Sequence, residues 1–162
     1  MKKTARMINY TMFVLFLLAL TFVVVFKANI HLLTQGGFED ARNISFDLYW
    51  NSRETLLNMA GFVPVGLFVT LLSKKKSLLR AALAGFLVSL AFETLQYVLM
   101  VGTSDLVDLF ANTLGSVVGY LIYRGFAYFL QGKTDPVLGC LTVPATLVFC
   151  YFALFVFSVW QG

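Results

Sequence analysis

The sequence predicts an all-α, polytopic transmembrane helix bundle of about five spans, with the N-terminus in the cytoplasm. Three observations lead there. Hydrophobic residues make up 59% of the 162 residues and charged residues only 12%, about half the charge that a soluble domain carries. The apolar residues gather into five runs of about 17 to 24 residues, each long enough to cross a ~30 Å hydrocarbon core. The Lys and Arg residues, 12 in all against 8 Asp and Glu, sit in short clusters beside those runs. That placement signals topology, and no separate basic domain exists to bind nucleic acid.

Each run must be a helix, because helices satisfy every backbone group in lipid without closing a barrel. The first, Ile8 to Phe26, follows Lys2, Lys3 and Arg6 as the core of a signal peptide would. Its length of about 19 residues, with no small-x-small cleavage site after Phe26, reads instead as a retained span. The others are Leu56 to Leu72, Leu78 to Val101, Leu106 to Tyr123 and Val137 to Trp160. With the N-terminus inside, Lys2, Lys3, Arg6, Lys74, Lys75, Lys76, Arg80, Arg124 and Lys133 face the cytoplasm, and only Lys27, Arg42 and Arg53 face out. This is the asymmetry that orients membrane proteins. Trp50 and Trp160 then both fall at the outer interface, where aromatic belts sit. The chain divides into 1–55, a first helix plus an outer surface segment; 56–124, a three-helix core; and 125–162, an inner connection and a last helix.

The outer segment, Lys27 to Thr55, holds Glu39, Asp40, Asp47, Glu54 and the only histidine, His31. It is too short for a domain and is expected to lie along the membrane surface, anchored by Phe46, Tyr49 and Trp50. The connection from Gly125 to Pro136 is read as extending the fourth helix along the inner interface, without chemistry of its own. Cys140 and Cys150 lie in one run at different levels and faces of one helix, so neither a disulfide nor a metal role is expected.

An ionisable group near the centre of a span costs about 2.5 to 3.5 kcal/mol on insertion scales, so each one asks for a reason. Glu93 lies about 12 Å below the outer end of the third span, and Ser89, Glu93 and Gln96 share one helical face. The fourth span begins with Asp105 and Asp108. Its positions 108, 112, 115 and 119 form one polar-to-small stripe, Asp108, Asn112, Gly115 and Gly119, whose Gly-x-x-x-Gly part permits close helix contact. Asn112 reaches about 10 Å depth, near the level of Glu93, and the short connection makes these two spans antiparallel neighbours. On the second span Asn58 enters from the same side. Pro64, with Gly61 and Gly66 nearby, frees the carbonyl of Ala60 and predicts a kink beside the cluster.

The candidate functional cluster is therefore Asn58, Glu93, Gln96, Asp105, Asp108 and Asn112, framed by Pro64, Gly66, Gly115 and Gly119. The same side chains can serve only to hold three helices in register. Interhelical polar contacts average about 0.6 kcal/mol in one well-studied case, however, and a purely structural role is served by Gln or Ser where this chain uses Glu and Asp. No His-x-x-x-His or Cys-x-x-Cys occurs, so no zinc site or other cofactor is expected. Gly102-Thr103-Ser104-Asp105 lacks the second glycine of the Gly-x-Gly-Asp found in intramembrane aspartyl proteases. A Glu93–Asp108 dyad can do acid/base work, but no nucleophile accompanies it.

Three motifs, in order and spacing, resemble the VanZ family of membrane proteins. They are Asn58-Met-Ala-Gly-Phe-Val-Pro-Val-Gly66, similar to Asn-x-x-x-Phe-x-Pro-x-Gly; Glu93-Thr-Leu-Gln96, similar to Glu-x-x-Gln; and Asp105-Leu-Val-Asp108-x-x-x-Asn112-Thr113-x-Gly115. Together they cover about Asn58 to Arg124 and mark 56–124 as the VanZ-like core. Upstream, Arg42-Asn-Ile-Ser45-Phe-Asp-Leu48 follows the family's Arg-x-x-Asn-x-x-Pro only in part, with Ser45 and Leu48 in place of the amide and the proline. Thr103 and Ser104 stand where many relatives carry an arginine. The resemblance implies a bacterial plasma-membrane protein associated with resistance to the glycopeptide teicoplanin. That antibiotic carries a fatty acyl chain and acts on lipid-linked cell-wall precursors at the outer face. The partners so implied, beyond the bilayer, are a lipoglycopeptide or such a precursor. Two other classes stay open. A small lipid or solute carrier requires a cluster accessible from both sides, although the sequence has no inverted repeat. An intramembrane enzyme requires a carboxyl group whose replacement stops turnover.

Overall fold

The computed structural model describes residues 2–35, 44–45, 52–99 and 104–161, with side chains over 2–24, 53–99 and 106–158. Its helices are α1 (Lys3–Gln35), α2 (Ser52–Leu72), α3 (Leu78–Leu99), α4 (Leu106–Leu130) and α5 (Thr134–Gln161). All five are long and apolar enough to cross a membrane. Leu18, Leu79, Val148 and Leu154 turn outward, 62 to 67% exposed, together with many other large apolar side chains. Apolar patches of that extent are rare on soluble monomers and belong against lipid. The protein is a multi-pass membrane protein of five helices. A two-residue parallel ladder, β1 (Ile44–Ser45) with β2 (Ser104–Asp105), pairs Ile44 with Ser104 and Ser45 with Asp105.

Small residues decide how the central helices pack. A Cβ on Gly115 would stand 2.1 Å from the Met59 carbonyl oxygen, and one on Gly119 would stand 2.1 Å from that of Val63. A Cβ on Gly66 would be even closer to the backbone of Ser116. The backbones of α2 and α4 therefore touch, and the register 59 with 115 and 63 with 119 shows that these two helices run parallel. α3 crosses back against α4, where Ser116 Oγ donates to the Ala81 carbonyl at 2.7 Å and its Cβ faces Gly85.

Aromatic side chains join the outer pair. Phe16 of α1 lies 4.8 Å from Phe149 of α5 and 6.1 Å from Phe68 of α2, and Phe22 lies 5.5 Å from Phe157. Asn9, almost wholly buried, accepts a 2.6 Å hydrogen bond from Thr142 Oγ1. Asn9 with Thr142, Phe16 with Phe149 and Phe22 with Phe157 set α1 and α5 parallel as well.

The end of the bundle carrying the N-terminus is tied together by cations. The last carbonyls of a helix have no partner of their own and attract positive charge. Arg6 Nη2 donates to the Leu72 carbonyl at 2.8 Å and Lys76 Nζ to that of Leu71 at 2.9 Å. Lys76 also pairs with Asp135 at 3.2 Å and lies 4.9 Å from the centre of the Tyr123 ring, whose hydroxyl donates to Asp135. The connection that sequence left without a role thus supplies Asp135 as a clasp between α4, α5 and the α2–α3 turn.

Helix ends are where the structure departs from the sequence reading. α1 continues past Phe26 to Gln35, so the first nine residues of the outer segment, His31 among them, extend a helix of about 50 Å rather than lying as a separate surface strip. Phe26 to Leu33 contains good helix formers and no breaker before Gly36. The anchors Phe46, Tyr49 and Trp50 lie outside the described residues. By contrast, α4 continues past Tyr123 to Leu130, the helical extension that the sequence suggests for this connection, before turning over Gln131 and Gly132, with φ of 38° and 91°; only at Gly132 is that conformation free of steric cost.

Candidate functional site

The candidate residues lie toward the end of the bundle opposite the cations, on α2, α3, α4 and the short ladder. Glu93 is six residues from the end of α3 and Asn112 six residues into α4, so each sits about 9 Å inside its helix. Asn112 is 6% exposed and donates through Nδ2 to Ser89 Oγ at 2.9 Å; Ser89 itself is fully buried. The interhelical contact is thus Asn112 with Ser89, and Glu93 stands one turn above it on the same face of α3. Oε2 of Glu93 is shielded from solvent. Oδ1 of Asn112 is likewise shielded and accepts no hydrogen bond from any described residue.

Asp108 is half-buried in the first turn of α4, where the helix N-terminus favours a negative charge. Glu93 and Asp108 are each engaged in a further interaction. Asn58 on α2 and Gln96 on α3 are half-buried. Asp105 belongs to the ladder, its backbone paired with Ser45, and this brings the 44–45 segment of the outer connection to the mouth of the Asp105–Asn112 motif.

The framing residues fix how α2 meets α4 below the candidate groups. Gly115 lies less than one turn below Asn112, and its contact with Met59 places α2 and α4 in register just below Asn58. Phe62, also on α2, packs edge-on against Phe92 of α3, with ring centres 5.8 Å apart. Among the candidate residues, the shielded acceptor atoms are Glu93 Oε2 and Asn112 Oδ1. A buried amide carbonyl such as that of Asn112 can accept from a ligand that brings N–H or O–H donors.

Three polar residues that join helices are not singled out by the sequence. Ser116 was passed over between Gly115 and Gly119, although a hydroxyl in a small-residue stripe is a known interhelical donor. Asn9 lies so close to the basic N-terminal cluster that it did not register as an intramembrane polar group. Asp135 is the one described acid at the basic end, and that isolation was the signal available.

A protein from Enterococcus faecium named "Protein VanZ" is 27% identical over 120 residues, which is 73% of this chain and 74% of that protein. No solved structure matches. The VanZ/LLP1 family model matches residues 8–130, from the start of the first span to the end of α4. The chain belongs to the VanZ/LLP1 family.

Proposed function

We propose that this protein acts in the bacterial plasma membrane to confer or modulate resistance to lipoglycopeptides of the teicoplanin type, through the acceptor-rich cluster opening at the outer face. The observation that carries the reading is the shielded pair of acceptors, Glu93 Oε2 and Asn112 Oδ1, each set about 9 Å inside its helix. Acidic groups at that depth are costly, and a role in recognition or proton handling accounts for their cost. Family membership and the likeness to a protein named VanZ support the antibiotic class. The orientation follows from the basic residues gathered at the N-terminal end.

The test is expression of the chain in a susceptible Gram-positive host, with inhibitory concentrations read for teicoplanin and for vancomycin in the same strains. Vancomycin lacks the acyl tail, so protection that works through the membrane phase favours teicoplanin. Equal protection against both antibiotics, or against neither, overturns the assignment.

A further inference from the structure

At the basic end of the bundle, away from the carboxyl cluster, α1, the last turn of α2 and the start of α3 enclose an open groove of about 500 Å³. Arg6, Lys74, Lys75 and Arg80 line it together with the apolar Phe13 and Val69, and no Asp or Glu does. The nearby acid, Asp135, is already taken by Lys76. Arg6 is held in place, donating to the Leu72 carbonyl at 2.8 Å with its guanidinium 5.8 Å from the centre of the Tyr10 ring. Lys74, Lys75 and Arg80 are exposed and form no salt bridge with any described residue. Four cations thus face one groove that no acidic side chain lines.

We propose that this groove binds the phosphodiester headgroup of an anionic phospholipid, whose acyl chains follow the apolar side of α1 and α2 into the bilayer. The composition of the groove selects that occupant. A free anion has no use for Phe13 and Val69, and a neutral lipid has no use for four cations. A negative head on apolar tails uses both, and basic pockets between helices at the membrane boundary take such headgroups. Arginine adds a planar fork that matches two phosphate oxygens. The inference is independent of the antibiotic reading, since no residue of the carboxyl cluster takes part.

Native mass spectrometry of the purified full chain in detergent tests it, with phosphatidylglycerol and phosphatidylcholine of matched acyl chains as probes. The parent is expected to retain phosphatidylglycerol in preference to phosphatidylcholine. Lys75→Gln with Arg80→Gln should weaken phosphatidylglycerol binding by about 30-fold, as expected for the loss of two basic groups near a headgroup. Arg124→Gln with Lys133→Gln removes the same charge from exposed positions at the same end and should leave binding unchanged. Equal retention of the two lipids by the parent overturns the proposal whatever the variants do. So does equal weakening by both variant pairs, which makes the effect one of bulk charge. Displacement of the lipid by inorganic phosphate or by a polyglutamate peptide at matched concentration also overturns it, pointing to a free phosphate or an acidic protein as occupant.

Discussion

Asn112 Nδ2 donates a 2.9 Å hydrogen bond to Ser89 Oγ, so the side-chain contact joining α3 and α4 beneath Glu93 is a neutral one. This separates two roles that sequence had merged. Holding α3 against α4 falls to Asn112 with Ser89 and, one turn further along α4, to Ser116 with the Ala81 carbonyl, whereas the carboxyl of Glu93 stands above the Asn112–Ser89 contact.

Replacing Ser89 by Ala should therefore destabilise the protein, because it strands a buried amide donor; the expected loss is about 1–3 kcal/mol. Among the described residues, Thr94 Oγ1 bonds only the Leu90 carbonyl of its own helix, and it is exposed, so Thr94→Ala should stay within about 0.5 kcal/mol of the parent. Thermal or denaturant unfolding in detergent measures both. A Ser89→Ala loss no larger than that of Thr94→Ala would mean that the contact contributes nothing.

The glycines make a prediction of opposite signs. A Cβ at Gly119 would stand 2.1 Å from the Val63 carbonyl oxygen, which can yield only if α2 and α4 move apart. Gly119→Ala should cost about 1–3 kcal/mol or more. Gly125 lies on the same helix with nothing within 4 Å of its added Cβ, and Gly125→Ala should gain about 0.5–1 kcal/mol from helix propensity. Melting temperatures of the two variants that move in the same direction would contradict the close α2–α4 contact.

The sequence announced the spans because lipid imposes length and apolarity on them, and it announced the Asn58–Gly66, Glu93–Gln96 and Asp105–Gly115 motifs because polar residues stand out against that background. Helix ends were less legible. The run from Lys27 to Gln35 is polar enough to leave lipid yet free of breakers, so hydropathy ended the first span where the backbone did not. The pairing of helices was least legible of all. Nothing in the near-uniform apolar surface of α1 says that Phe16 meets Phe149, or that Asn9 meets Thr142 across the whole chain. Asp135 looked like a loop residue until the fold brought Lys76 and Tyr123 to it.

Orientation follows from the charge asymmetry and is open to a direct check. A reporter fused after Lys76 or after Lys133 should behave as cytoplasmic, and one placed near Gln35 or after Gly162 as external. A cytoplasmic C-terminus would reverse the placement of the carboxyl cluster and remove it from the outer face.

On the proposed function, the carboxyl groups themselves, and not merely the packing around them, are what act. Glu93→Gln keeps the shape and most of the hydrogen-bonding capacity of the side chain while removing its charge, and Asp108→Asn does the same at the start of α4. The direct measurement is the inhibitory concentration of teicoplanin in strains expressing each variant, beside protein level and melting temperature. Both variants should lose protection while level and melting temperature stay close to those of the parent. Amide variants that protect as well as the parent, or lose protection only in step with protein level, would show that the cluster serves only to hold the helices together.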